Sequence, residues 1–532
     1  MKGVMMVLAG LAGAVCAQVI DNTPTRVQTS LDPKLTCVGT LRPKSVREIS
    51  TSRWSVGCET IDREYVDYHP VREYLPELGI KRIRLQAGWA RCERDPGIYD
   101  FGWLDSIIFD AKRRGMDIWL ETSYGNESYE GGGTRNLSGG IPTSAKGLAA
   151  WDKWVGTMAR RYKGYVSDWV VWNEPDNMIK KGRGAEFADF SVRTAEIIKR
   201  EIPDAKISSL VVFSLTEAVF KPYFDRLQEL GKVDFFDYVV YHHYTPNPDT
   251  AYEDARKIQA FVRTYSKTLK FWQGESGTQS EWCPNGALSQ YPWTELTQAK
   301  WDTRRMLADL GNNADSLVFS ATDLEYRGNV QTGMCRYGLI KTAGAAEGFR
   351  VLKVKTAFYA VQNMVSVIND DVDALVDFPC GVTHAETPGT YPSYERLVNG
   401  KMRQVLDPVP VTRKKTVASY GFRDKKTGQI ILAVWDKTYV PQNSNEILPV
   451  TFTFKTPGFK TPVWVDVITG NAYAIPAEKV KRDGETVTLT DIPVYDAPAF
   501  ITDRSILTLV KSEELLFREA QELSRKAGAA SK

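Results

Sequence analysis

The chain has 532 residues, 43% of them hydrophobic and 25% charged, which is the composition of a folded protein with room for two domains. Its 68 basic and 65 acidic side chains leave a formal net charge of only +3. This balance argues against nucleic acid or a membrane surface as a partner. Fourteen Trp and 24 Tyr supply many flat apolar faces, which fill cores and also suit sugar rings.

The first 17 residues have the order of a secretory signal peptide. Lys2 is followed by an apolar run to Val15 and by the small residue Ala17, after which we predict cleavage. The run is shorter than the roughly 18 apolar residues of a membrane-spanning helix. We therefore expect an exported protein, periplasmic or extracellular, without a membrane span.

The six cysteines that follow the predicted cleavage point are widely scattered. No CxxC pair accompanies them, and no His stands at ligand spacing, so the pattern disfavours zinc and leaves the disulfide pairing open. We expect neither a metal nor a cofactor. The six are Cys37, Cys58, Cys92, Cys283, Cys335 and Cys380.

Residues 49–370 alternate short β-rich segments with longer segments of helical periodicity, which is the pattern of βα units around a parallel sheet. Eight repeats of this size predict a (β/α)8 TIM barrel, an α/β fold whose functional residues follow the carboxyl ends of the strands. The eight strands are predicted at residues 54–58, 82–85, 118–121, 169–172, 207–211, 238–241, 270–273 and 316–319.

Residues 371–505 show short alternating strands separated by turn signals, and this predicts a second, smaller C-terminal antiparallel β-sandwich. The segment 18–48 precedes the first barrel strand, and we interpret it as an additional strand of that sandwich. The tail, residues 506–532, carries Leu516, Ala520 and Leu523 on one stripe, which favours a short surface helix.

Two glutamates follow barrel strands at the predicted functional face. Strand four leads into Asn173-Glu174-Pro175, and strand seven leads into Glu275, about 100 residues later. Hydrolysis of a glycosidic bond with retention needs one carboxylic acid and one carboxylate about 5 Å apart. Asn-Glu-Pro alone is a weak signal, because Asn and Pro also favour turns. Its joint placement with Glu275 makes the catalytic interpretation of the pair the stronger one.

These motifs resemble the retaining glycoside hydrolases of clan A, the 4/7 superfamily, over the whole barrel. The resemblance implies that Glu174 is the acid/base, Glu275 the nucleophile and Asn173 the partner of the sugar 2-hydroxyl. A barrel followed by a β-sandwich is most similar to family 39 and its relatives, which include β-xylosidases and α-L-iduronidases. The stretch 97–105 also recurs in that clan, as scaffold.

The same resemblance assigns supporting residues around the nucleophile. Arg84, on strand two, would keep Glu275 ionised, although a structural ion pair is the alternative. Tyr244 would donate a hydrogen bond to Glu275. Adjacent strand residues point to opposite faces, so His242 and His243 cannot both bind one metal ion, and we include His243 in the candidate site.

Further candidates lie on the loops of the same face. Packing or structural pairing is the alternative for each of them, and for Glu121 burial against a cation is as good an interpretation as a role at the rim. The long glycine-rich loop that begins at Tyr124 is expected to wall the substrate pocket. The remaining candidates are Trp89, Trp282, Tyr326 and, after strand eight, Asp323.

The function expected from these residues is that of a retaining glycoside hydrolase that forms a covalent glycosyl-enzyme intermediate. Exo action on a β-linked sugar of the galactoside or xyloside type is our interpretation of the pocket, with an oligosaccharide or glycoside as the only partner. Two alternatives stay open. One is a transglycosylase that uses the same site, and the other is a non-catalytic carbohydrate-binding barrel.

Overall fold

The computed structural model describes residues 27, 30–137, 139–289, 291–328, 332–391, 395–398, 401–404, 411–511, 521 and 524–526. The signal peptide predicted over residues 1–17 lies outside them. So does most of the predicted C-terminal helix, of which only residues 521 and 524–526 are described, and these are helical.

A closed barrel of eight parallel strands confirms the predicted fold class. Because helices cover the outside and side chains fill the inside, barrel strands such as Asp117–Glu121 are buried on both faces and read as nearly continuous apolar runs. The strands are, in order, Trp54–Gly57, Arg82–Gln86, Asp117–Glu121, Val166–Val170, Lys206–Val212, Tyr238–His242, Lys270–Glu275 and Ala314–Val318. The fourth begins and ends earlier than the predicted 169–172.

The helices surround the barrel with their apolar faces inward. In Ala145–Tyr162, for example, the Ser144 hydroxyl caps the first turn by accepting from the Gly147 N–H, and the buried Trp151, Val155 and Met158 recur at helical spacing. The α-helices are Trp89–Cys92, Gly102–Arg113, Ala145–Tyr162, Asp176–Met178, Gly184–Glu201, Glu217–Glu229, Tyr252–Val262, Glu295–Gly311 and Thr356–Val367.

Short helical turns complete the connections between these elements. The 3-10 turns are Val46–Glu48, Ile61–Arg63, Pro76–Leu78, Val233–Phe235, Pro248–Thr250, Ala345–Glu347, Ala477–Lys479 and Arg504–Ile506, and a π-helical turn spans Ile179–Arg183. In the described part of the chain, no helix combines the length and apolar character that crossing a bilayer requires.

The second domain packs an eight-stranded antiparallel sheet with a four-stranded one, as a β-sandwich. The larger sheet runs, in spatial order, Val372–Leu375, Val417–Asp424, Ile430–Asp436, Ala499–Asp503, Pro462–Asp466, Asn471–Ala474, Thr36–Leu41 and Leu509–Val510. The smaller sheet runs Cys380–Thr383, Leu448–Lys455, Thr486–Val494 and Val480–Asp483. Thr36–Leu41, from the N-terminal segment, thus lies in the sandwich.

Four two-stranded ribbons extend from the two domains. They are Leu324–Arg327 with Thr332–Cys335, Ile340–Thr342 with Val351–Val354, Pro388–Tyr391 with Val411–Lys414, and Glu395–Val398 with Lys401–Gln404. One buried apolar cluster runs through barrel and sandwich, and polar contacts such as Asn363 Nδ2 donating to Val467 O at 3.0 Å join the last barrel helix to the sandwich. All six cysteines named above are free thiols.

Candidate active site

Aromatic and cationic layers inside the barrel form the floor of the site. The rings of Trp119 and Trp272 stack with centroids 4.5 Å apart, and the Arg82 guanidinium lies 4.4 Å from the Trp272 ring. Arg84 is two residues further along the same strand and therefore points inward as well. Its guanidinium lies 5.7 Å from the Trp119 ring, fully buried.

Glu174 sits in a turn just beyond the fourth barrel strand. Its φ of 49° lies in the left-handed region, which non-glycine residues adopt rarely and at an energetic cost. The Glu174 backbone N–H donates to Val211 O at 3.1 Å, which fixes this turn against the fifth strand. The carboxyl group is thereby held over the barrel mouth, with Oε1 2.8 Å from His242 Nδ1.

Glu275 ends the seventh strand and has the two partners expected for it. The Tyr244 hydroxyl donates to Oε1 at 3.0 Å, and Arg84 Nη1 donates to Oε2 at 3.1 Å. The pairing of the sixth and seventh strands shifts register between Tyr241 and His242, and this shift sets His242 opposite Glu275. His242 Nδ1 is 3.8 Å from Glu275 Oε2.

The two glutamates face each other across a short gap. One oxygen of Glu174, one oxygen of Glu275 and a ring nitrogen of His242 all lie within 4.8 Å of one another. Both carboxyl groups are only partly accessible to solvent, with 17% of each side chain exposed. Both carboxyl groups are therefore close enough to act on one reacting atom.

Their surroundings shift the two carboxyl pKa values in opposite directions. Burial raises the pKa of Glu174, and the hydrogen bond and charge of His242 offset this only in part. Burial acts on Glu275 in the same sense, but the charges of His242 and Arg84, with the hydrogen bond from Tyr244, outweigh it and lower its pKa. The site therefore favours a protonated Glu174 beside an ionised Glu275.

Arg84 also binds the residues that frame Glu174. Its Nη2 donates to Glu121 Oε2 at 2.6 Å and to Asn173 Oδ1 at 2.7 Å. The Asn173 amide in turn donates to the Tyr124 hydroxyl at 2.8 Å. Glu121 is thus a buried partner of a cation, one of its two predicted alternatives, and Tyr124 acts on the site through Asn173.

Glu59 is a site residue that the sequence analysis missed. It follows the first barrel strand, is only 3% exposed, and brings Oε1 to 2.9 Å from Arg84 Nη1. Burial raises its pKa to about 8 against the attraction of Arg84, and the charge of Glu275 adds to the rise. The rule that selected Glu174 and Glu275, a carboxylate just past a barrel strand, selects Glu59 too.

The place of His243 in the site stays a prediction, and no described contact joins it to either glutamate. Burial together with the nearby charge of Arg305 lowers its pKa to about 4. His242 is the residue that reaches both glutamates. Strand alternation already contained the signal, because Tyr238 packs inside the barrel against Trp272 and His242 has the same parity.

Trp89 and Asp323 are packing and pairing residues rather than substrate contacts. Trp89 is fully buried, stacks on Tyr129 and donates from Nε1 to Glu93. Asp323 is fully buried too, and accepts hydrogen bonds from Lys355 Nζ and other donors on both oxygens. Neither side chain has a face left for a sugar.

Two aromatic candidates remain accessible. Trp282 is 61% exposed on the loop after the seventh strand, and its proposed stacking on sugar stays a prediction. Tyr326 lies on the hairpin after the eighth strand, edge-on to Tyr65 with centroids 5.4 Å apart. Burial raises the pKa of the Tyr326 hydroxyl, and the charge of Glu275 adds to the rise.

The triad of Glu174, His242 and Glu275 also has the spacing of a metal site, since one ion could touch all three ligand atoms. Arg84 already neutralises Glu275 from 3.1 Å, however, and its fixed positive charge opposes a second cation there. The donor set fits proton-transfer chemistry between carboxyl groups better than it fits a metal ion.

Comparison with known proteins shows the fold of the chain. A family 39 glycoside hydrolase from Bacteroides cellulosilyticus superposes with a TM-score of 0.52 at 15% identity, covering 85% of this chain and 81% of its own. A monomeric β-xylosidase from Caulobacter crescentus gives a TM-score of 0.52 at 14% identity, covering 88% and 97%. No family model matches the sequence, and no curated protein matches it. The chain shares the barrel-and-sandwich architecture of these two proteins.

Proposed function

We propose that the chain is a retaining glycoside hydrolase in which Glu174 is the acid/base and Glu275 the nucleophile. One observation carries the proposal. Two partly buried glutamates, with oxygens no more than 4.8 Å apart, have pKa values shifted in opposite directions. Retention requires carboxyl groups about 5–5.5 Å apart, whereas inversion needs a wider gap that admits water.

The geometry suits a double displacement. Glu174 gives its proton to the glycosidic oxygen while Glu275 attacks the anomeric carbon, so that the glycosidic bond breaks and an ester to Glu275 forms. Glu174, now ionised, then takes a proton from water, whose oxygen attacks the same carbon and releases Glu275. Arg84 and Tyr244 hold the Glu275 carboxylate through two hydrogen bonds before the attack and after the release.

Asn173 is placed to bind the sugar beside the reacting carbon. Its Oδ1 accepts from Arg84 and its Nδ2 donates once, to Tyr124, so one N–H is left for a substrate hydroxyl. The amide is 3% exposed and held on two sides, which fixes the direction of that donor. We assign this donor to the sugar 2-hydroxyl.

For the substrate we propose a β-linked xyloside or galactoside, cleaved from its end by an exported enzyme. The β-xylosidase of matching architecture favours a xyloside. The apolar run and small residues of the first 17 positions support export. Initial rates on aryl xylosides, galactosides, glucosides, mannosides, arabinosides and uronides test the choice, and a preference for an α-linked sugar would contradict it.

Replacement of each glutamate tests the catalytic assignment. E275A should lower kcat roughly 10⁴-fold or more, and azide should restore turnover with a glycosyl azide of inverted configuration. E174A should spare dinitrophenyl glycosides, whose leaving group needs no proton, and lose substrates with poor leaving groups.

E196Q, on an exposed helix face, is the matched control and should leave both rates unchanged. Full turnover of E275A, or a glycosyl azide that keeps the configuration of the substrate, would show that Glu275 is not the nucleophile.

A further inference from the structure

The hydrogens on the two terminal nitrogens of Arg84 are all committed. Nη1 donates to Gly274 O at 2.9 Å and to Glu275 Oε2, and Nη2 donates to Glu121 and Asn173. Each of these nitrogens carries two hydrogens, so none is left over. The remaining N–H, on Nε, is buried and bonds to none of these groups.

Glu59 is the neighbouring carboxyl group that receives none of these Arg84 hydrogens. Its Oε1 lies 2.9 Å from Arg84 Nη1, yet neither of its buried oxygens accepts a hydrogen bond from another described residue. Since Glu275 Oε2 is 3.1 Å from the same nitrogen, the two carboxyl oxygens are at most about 6 Å apart. Glu59 and Glu275 thus compete for one nitrogen.

The charges facing Glu59 come from three neighbouring strands. Arg84 on the second strand attracts its anion, while Glu275 on the seventh and Glu121 on the third repel it. Burial raises the pKa of the adjacent Cys58 thiol, so Cys58 adds no charge. A single guanidinium therefore faces three carboxyl groups. Glu59 accepts no hydrogen bond from another described residue, so it is the one of the three that is most easily protonated.

We propose that Glu59 is a positioning residue that must carry a proton for Arg84 to stay bound to Glu275. As a neutral acid, Glu59 leaves the Nη1 hydrogen to the nucleophile. As an anion, it draws that hydrogen to itself and places a like charge beside Glu275, which misaligns the attacking oxygen. This role rests on the proposed glycosidase function and adds to it a second protonation that activity requires.

The sign of the effect follows from the direction of the shift. When activity requires the protonated form of a group, activity is full below the pKa of that group and falls as pH rises through the pKa. The pKa of Glu59 is raised to about 8, so its loss falls on the alkaline side of the profile. Deprotonation of Glu174 falls on the same side, and the two must be separated by experiment.

The E174A variant with a dinitrophenyl glycoside separates them, because that leaving group needs no acid. We expect kcat/KM of E174A to fall about tenfold per pH unit above the Glu59 pKa. In the double variant E174A/E59Q, where a neutral amide replaces the carboxyl group, we expect a profile that changes less than about twofold over the same range.

Asp302 provides the matched control, because it is also a fully buried acid and lies near Lys355 rather than Arg84. E174A/D302N should keep the alkaline fall of E174A. A fall that persists in E174A/E59Q, or that is absent from E174A, overturns the role of Glu59 and leaves the glycosidase intact. Wild-type turnover in E275A would instead remove the proposed function, and the role of Glu59 with it.

A spectroscopic measurement does not depend on the folding of E59Q. In E174A, where Glu174 cannot contribute, the infrared band of a protonated carboxyl group should disappear as pH is raised through about 8, and the same should hold in E174A/D302N. Absence of this titration would show that Glu59 is ionised throughout, and would overturn the proposal.

Discussion

Two buried ion clusters lie near the barrel mouth, and they are built in opposite ways. The Arg84 cluster sets one guanidinium against Glu59, Glu121 and Glu275. The Lys355 cluster sets Lys355 and Arg336 against Asp323 and Glu281.

Each cation of the Lys355 cluster has an acidic partner, and Lys355 donates all three of its hydrogens. Lys355 Nζ donates to Asp323 Oδ1 at 2.6 Å, to Ser280 at 2.8 Å and to Arg336 O at 3.0 Å. Such a site holds its protonation state and ties chain segments together. Around Arg84, carboxyl groups outnumber cations, and the pKa values of these carboxyl groups therefore move apart. Acid–base catalysis needs such a difference in pKa. Imbalance, rather than burial, distinguishes the two.

Removal of the central cation should have the largest effect. R84M leaves Glu275 without its hydrogen-bonded counter-ion, and we expect kcat/KM to fall roughly 10³-fold. Arg84 helps to lower the pKa of Glu275, so the acidic limb of the profile should move to higher pH. Initial rates across pH, with a thermal melt to confirm folding, test this. An unmoved acidic limb would mean that Arg84 does not control Glu275.

Removal of the cation from the balanced cluster should affect stability instead. K355M leaves Asp323 buried without its nearest charge, and we expect a loss of about 3–5 kcal/mol in the free energy of unfolding. Urea denaturation measures this loss. The limbs of the pH profile should stay where they are, and a shift in either would show that the two clusters are coupled.

Loss of one hydrogen bond to Glu275, the proposed nucleophile, should have an intermediate effect. Y244F removes the 3.0 Å bond to Glu275 Oε1, and we expect about 1.5–3 kcal/mol in the activation free energy, roughly 10- to 150-fold in kcat/KM. Y223F is the control, since Tyr223 is also a buried tyrosine but lies on the outer helix Glu217–Glu229. Equal kinetics for Y244F and wild type would exclude Tyr244 from the mechanism.

The smallest effect is expected at His243. With its pKa lowered to about 4, it is neutral at working pH, and it faces Arg305 rather than the glutamates. H243A should change kcat/KM by less than about threefold, whereas H242A, which leaves Glu174 without its 2.8 Å partner, should cost about 1.5–3 kcal/mol. Comparable losses in both variants would contradict the assignment of His242.

The barrel could be predicted because strand and helix periods are local properties of the sequence. The fourth strand was placed too late because the apolar run continues through Trp172, which packs among aromatic rings beyond the strand instead of in the barrel ladder. Glu174 and Glu275 could be found because a rule about strand ends selected them. Applied evenly, that rule would have added Glu59, and strand alternation would have selected His242.

For Asp323, the rule about strand ends does not predict the surroundings of the carboxylate. It follows a barrel strand just as Glu275 does, but Lys355 and Arg336 reach it from sequence positions that no local pattern connects to it. Whether a carboxylate is paired or in excess depends on which cations the fold brings beside it. That property belongs to the tertiary structure, and the sequence alone does not contain it in readable form.

The position of the strand Thr36–Leu41 in the sandwich determines when, during synthesis of the chain, this strand can pair. It lies between Asn471–Ala474 and Leu509–Val510, so its neighbours leave the ribosome more than 400 residues after it does. At 5–20 residues per second it waits roughly 20–90 s for a partner, with an unpaired edge open to aggregation. The barrel is therefore complete in sequence before the sandwich can close. We expect a chaperone that binds this early segment to raise the yield of folded protein.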